Sequence, residues 1–172
     1  KISIKKISDL AAALMEKGTL LAPVKEAAGH NFVEIKDPRQ LDLNYYNTIV
    51  SPKTVFLPQK EDFIKYETGK PIIEAQPVDL NIKAAFLFGV RPCDAKSFQI
   101  MDIHFHASGI IDPYWQQRRD KTVIFGHAFD LDVAAQDADF YQTLGIGAAD
   151  PEGSDVFMVK KGEDLLLGAV TP

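Results

Sequence analysis

Cys93 is the one cysteine among 172 residues, and its neighbours bear directly on its chemistry. Arg91 stands two positions before it and Asp94 immediately after, at the head of a segment whose spacing predicts a helix. A guanidinium and a helix N-terminus both stabilise a thiolate, so Cys93 is a candidate nucleophile or metal ligand. The plainer reading is a small apolar residue packed at a strand end, because buried cysteines are common. A nucleophilic cysteine needs a base beside it, and His104, His106 and His127 are the candidates. His104 and His106 flank Phe105, so on a strand both would face one way and could share a metal. Two histidines fall short of the ligand number of a stable site, and surface or capping roles compete with that reading. His127 with Asp130 and Asp132 is a weaker constellation, and the acidic run through Asp139 reads as a solvated face. One thiol forms no internal disulfide and does not supply the several thiolates of an iron–sulfur cluster or a structural zinc site. Gly145-Ile146-Gly147 lacks the third glycine of a phosphate-cradling loop and does not follow a strand directly.

The elements that must position these residues follow from periodicity. Residues 84–90 are a continuous apolar run, the pattern of a strand inside a parallel sheet. Its carboxyl end delivers Arg91-Pro92-Cys93-Asp94-Ala95, where Pro92 ends the ladder and Asp94 is predicted to cap a helix over 95–103. Upstream, Ile7, Leu10, Ala11, Leu14 and Met15 recur at helical spacing, with Ser8 as the expected N-cap and Gly18 as the stop. This helix should lie on a sheet. Residues 20–24 and 31–36 read as a strand pair, and 37–58, with Pro38, Pro52 and Pro58, as an ordered irregular crossing. A short helix is expected over 61–66 and a surface connection over 69–81. Asp112 and Pro113 mark the N-cap and N1 of a helix over 112–119. Residues 122–126 form a second core strand, 145–153 a loop, and 156–160 with 165–170 a closing hairpin. Alternating strands and helices predict a single α/β or α+β domain over 1–172, with a mixed sheet flanked by helices.

A chain that is 46% hydrophobic and 10% aromatic builds a core, which excludes a disordered protein. At this length roughly 70% of the unfolded chain's surface is buried on folding, so no disulfide or metal is needed to hold it together. A net charge of −5, without a run of Lys or Arg, argues against a nucleic-acid partner. Apolar stretches such as 84–90 fall far short of the ~20 residues of a bilayer crossing, and no basic-then-apolar leader opens the chain. No membrane insertion is expected, and the cytoplasm is the expected location.

Three strings carry a resemblance: Ser51-Pro52-Lys53 followed by Phe56-Leu57-Pro58-Gln59-Lys60-Glu61; Gly89-Val90-Arg91-Pro92-Cys93-Asp94-Ala95; and Asp112-Pro113-Tyr114-Trp115-Gln116-Gln117-Arg118-Arg119. In this order the chain resembles the iron–sulfur electron-transfer subunits of cytoplasmic hydrogenases (the β type) and of anaerobic sulfite reductases (the A type). The resemblance implies an N-terminal α/β domain followed by a ferredoxin-like module with two [4Fe–4S] clusters. Such a protein passes electrons between a flavin-bearing partner and the catalytic component of a complex in anaerobic metabolism. The sequence ends at Pro172, ahead of any such module.

By the same resemblance Cys93, with Arg91 and Asp94 beside it, sits where the family places one ligand of a further cluster. The family draws the other ligands from a cysteine-rich stretch after the strand equivalent to 122–126, and here residues 127–141 contain no cysteine. The expectation is therefore a chain that binds no intact cluster and is not catalytic on its own. It would serve as a scaffold for a redox module or partner, with Arg91, Arg118 and Arg119 either shaping an anionic or partner-facing site or making ordinary ion pairs. Two further readings stay open: a small enzyme using Cys93, and a ligand-binding or regulatory domain without redox chemistry.

Overall fold

The predicted buried run forms the centre of a seven-stranded mixed sheet in the computed structural model, which describes residues 1–69, 76–77, 81–109, 111–129, 143 and 145–171. In chain order the elements are β1 (Ile2–Ser3), α1 (Ile7–Met15), β2 (Thr19–Glu26), β3 (Gly29–Glu34), β4 (Ile64–Lys65), β5 (Gln76–Pro77), β6 (Ala85–Val90), α2 (Pro92–Phe105), α3 (Pro113–Asp120), β7 (Thr122–His127), β8 (Val156–Lys161) and β9 (Asp164–Ala169). Short 3₁₀ turns at Pro38–Gln40 and Pro52–Val55 punctuate the irregular crossing. The sheet order is β1-β9-β8-β7-β6-β2-β3. Strands β2, β6, β7 and β8 run parallel, while β3, β9 and β1 add antiparallel edges. The fold is α/β with a mixed sheet, as the alternation of elements predicts.

Neighbouring residues of the central strands feed two different cores, as strand alternation requires. Leu87 and Ile124 pack with Phe56, Phe98 of α2 and Trp115 of α3, whereas Phe88 and Phe125 pack with Ala11 and Leu14 of α1. Helix α1 thus covers one face, and α2 with α3 covers the other. Gly18 joins α1 to β2 where a Cβ would lie 2.3 Å from the Ala84 carbonyl oxygen, so only glycine lets the strand start there.

Several boundaries differ from the sequence reading. Lys6, not Ser8, precedes α1, because a 3₁₀ turn over Ile4–Lys6 runs straight into the helix. Arg91 is the N-cap of α2 and Pro92 its first residue, since proline's fixed φ suits the first helical position; Asp94 lies inside the first turn. Residues 61–66 hold no helix: Ile64–Lys65 is a strand paired with Gln76–Pro77. Six residues close too few hydrogen bonds to offset helix nucleation, and pairing with β5 satisfies the backbone instead. The expected connection over 69–81 lies in part outside the described residues, and the acidic segment 130–139 lies wholly outside them. Among the described residues no helix is long and apolar enough to cross a membrane.

Candidate functional site

The site begins with an irregularity in β6. Phe88 pairs with Phe125, but Val90 pairs with Gly126, so Gly89 is a bulge between them. Gly89 has φ +86°, and a Cβ there would meet Leu43 Cδ2 at 2.5 Å. The one-residue shift brings Arg91 alongside His127, the last residue of β7. Tyr45 closes the bulge by donating its hydroxyl to the Gly89 carbonyl at 2.5 Å, and burial raises the Tyr45 pKa so that it stays a phenol.

Arg91 is only 4% exposed. Its Nη1 donates to the Ala128 carbonyl at 2.8 Å and lies 3.1 Å from His127 Nδ1. Its guanidinium stacks on Tyr45 at 4.2 Å and on Phe129 at 4.9 Å, in cation–π geometry. An arginine only donates, so His127 Nδ1 must accept and the neutral ring carries its proton on Nε2. Burial first, then the charges of Arg91 and Lys160, lower the His127 pKa to about 3. Its Nε2 is buried and has no hydrogen-bond partner among the described residues, a state that costs about 1–3 kcal/mol in a folded protein.

His127 forms part of the wall of a cavity of about 1000 Å³ at the carboxyl ends of β6 and β7. Its surroundings are mixed, with Arg91 and Lys160 among apolar side chains such as Ile4, Ile7 and Leu43. Asp42 also lines it. Burial opposes that carboxylate, but hydrogen bonds from His30 and the Asn44 N–H bring its pKa below the ordinary value.

On the other side of the Arg91–Asp94 turn, Asp94 accepts from Ser51 Oγ at 2.9 Å, and Ser51 also caps the 3₁₀ turn that carries Lys53. Burial raises the Asp94 pKa, while Ser51, Lys53 and Arg91 work against that rise. Cys93 lies in the first turn of α2, half-buried. None of the candidate bases suits it. His127 has its Nδ1 lone pair taken by the Arg91 guanidinium, and burial with the neighbouring cations makes the ring a weak base. His104 is on α2 itself, about 16 Å along the axis at 1.5 Å per residue, and His106 follows that helix with Nε2 2.7 Å from Gln116 Oε1. Helical geometry also separates His104 from His106, so they do not form the metal-binding pair that a strand would give.

The three resembling strings form one packed unit. Phe56 sits edge-on to Phe98 at 4.9 Å and tilted on Trp115 at 5.3 Å. Arg118 pairs with Glu61, and Arg119 grips Asp102 through two nitrogens, so both arginines are spent on internal ion pairs. Sequence reasoning missed Tyr45 and Phe129 as the walls around Arg91. A glycine inside an apolar strand was the signal, since it marks a bulge.

An iron–sulfur core takes four thiolates or their equivalent. The sequence offers Cys93 alone, and no group of three potential metal ligands occurs among the described residues. Among the described residues Cys93 is the one thiolate donor of the four.

No family profile matches the chain, and no solved structure matches it. It is 30% identical over 145 residues to the beta subunit of sulfhydrogenase 2 from Pyrococcus furiosus, which covers 84% of this chain and 40% of that protein. The chain spans about two fifths of the length of this curated relative. The likeness falls on the hydrogenase side of the resemblance read from the sequence.

Proposed function

We propose that this chain is a domain of an electron-transfer oxidoreductase subunit of the hydrogenase β type, acting as a scaffold that positions a redox module or partner subunit. The observation that carries this reading is the similarity, over 84% of the chain, to the beta subunit of a hydrogenase. The packing together of all three resembling strings supports it, because a shared sequence signature that builds one structural unit points to a shared fold. Flavin-bearing and catalytic subunits are the proposed partners, by the same likeness and by the resemblance to the electron-transfer subunits of anaerobic sulfite reductases. The cytoplasm is the proposed location.

The scaffold carries no intact [4Fe–4S] cluster of its own within residues 1–172. Arg91 and Asp94 hold the turn that presents Cys93, and Cys93 contributes packing at the head of α2. Affinity purification from the source organism without oxygen tests the partner claim. The expected result is a stoichiometric complex whose other subunits contain flavin or acid-labile sulfide. A chain recovered without any redox-active subunit would refute it. Reconstitution of residues 1–172 with iron and sulfide tests the cluster claim, which fails if about one reducible cluster forms per chain.

A further inference from the structure

We propose that the cavity at the carboxyl ends of β6 and β7 binds an organic anion, whose oxyanion accepts the His127 Nε2–H while its apolar body lies against Ile4, Ile7 and Leu43. This goes beyond the electron-transfer reading and is independent of it. Ligands of α/β folds bind outside the carboxyl ends of parallel strands, and small-molecule sites have volumes of about 300–1,000 Å³ with mostly apolar walls and a few fixed polar groups. The cavity, at about 1000 Å³, is of that kind.

The polar group here is defined in chemistry as well as position. Arg91 takes the Nδ1 lone pair of His127, so Nε2 can only donate. His127 is 5% exposed and Nε2 has no acceptor among the described residues. An unsatisfied buried donor in a native structure calls for an explanation, and a bound acceptor supplies one. The partner that suits an N–H donor is an acceptor, and a cation is the wrong one. Arg91 and Lys160 supply positive potential around the ring, and both raise the energy of a protonated imidazole. The same field favours a negative ligand. The one carboxylate among the described residues of the wall, Asp42, is engaged by His30 and the Asn44 N–H, which limits its opposition.

Octanoate, octanamide and octyl phosphate are suitable probes, measured by calorimetry together with the ¹⁵N–¹H spectrum of the His127 ring. Octanoate or octyl phosphate should bind at one per chain and shift the Nε2–H resonance; whichever binds tighter identifies carboxylate or phosphate as the preferred group. The neutral amide should bind at least about tenfold more weakly, as expected when a charge-assisted hydrogen bond becomes neutral. His127→Asn keeps an acceptor for Arg91 but places no N–H at the Nε2 position, so it should lose about tenfold or more for the anions. His127→Gln, with an N–H near the Nε2 position, should recover part of that loss. The proposal is overturned if neither anion binds at millimolar concentration, if the amide binds equally well, or if His127→Asn binds undiminished. Should His127→Asn not fold, an Nε2–H resonance unmoved by saturating anion overturns it in the native chain.

Discussion

Arg91 and His127 are locked as donor and acceptor, Nη1 to Nδ1 at 3.1 Å, at the ends of adjacent parallel strands. The lock has a consequence for stability. In the unfolded chain the imidazole titrates near 6.5, whereas in the fold burial and the two neighbouring cations hold it near 3. Between those values the unfolded state binds a proton that the folded state refuses. The contribution is complete above pH 6.5 and is lost as pH falls toward 3, at no more than about 1.4 kcal/mol per pH unit. Urea unfolding from pH 7 to pH 4 should show the native protein losing stability about one proton more steeply than His127→Asn. Asp94, whose raised pKa acts with the opposite sign, is common to both proteins and cancels in the comparison. Parallel pH profiles would show that His127 is protonated in the fold.

Gly89→Ala should cost about 2–4 kcal/mol, combining the penalty of a positive φ with an overpacked contact. The new Cβ would press on Leu43 Cδ2, and the bulge it distorts sets the register of Arg91 against His127. Chemical denaturation measures the first effect. The His127 ring resonances measure the second, which should move even where the fold survives. A neutral substitution would mean that the bulge does not govern the site.

The sheet was legible in sequence because its central strands are continuous apolar runs, and the Asp112-Pro113 signal marked α3 correctly, with Asp112 accepting from the Tyr114 and Trp115 N–H groups. Local patterns of this kind report on neighbours within a few residues. The site depends on something else. Tyr45 reaches Gly89 across 44 positions and Ser51 reaches Asp94 across 43, and no periodicity encodes such contacts. Asp94 illustrates the gap: its type suits a helix cap, yet Pro92 starts the helix earlier and a distant serine claims the carboxylate. Residues 61–66 illustrate another. Their strand exists through pairing with Gln76–Pro77, and the helix expected there had only local pattern behind it.

Phe56 should be the most costly single truncation on the α2–α3 face. It is almost fully buried and contacts Phe98 and Trp115, with the Arg119 guanidinium 5.4 Å from its ring. Phe56→Ala should destabilise the protein by about 3–5 kcal/mol, the range for a large aromatic lost from a core. Phe56→Leu should cost less than half as much. Denaturant titration followed by Trp115 fluorescence reports both, and a loss under about 1 kcal/mol for the alanine would show that the three strings do not depend on this ring.

Asp102 ties the same face together from α2. One oxygen accepts from Trp115 Nε1 at 2.7 Å and from Arg119 Nε at 3.0 Å, and the other accepts from Arg119 Nη2 at 2.9 Å. The bidentate grip lies at a partly covered surface, so it is worth more than an open ion pair and less than a fully buried one. Asp102→Asn preserves the shape but gives up the charge and one acceptor, which should cost about 1–3 kcal/mol. Arg119→Leu removes the partner and leaves the Asp102 bond to Trp115 intact. A double-mutant cycle between the two should yield a coupling of about 0.5–3 kcal/mol, measured by urea unfolding. Additive losses would show that Asp102 acts through Trp115 alone, and the arginine would then be available at the surface to a partner protein.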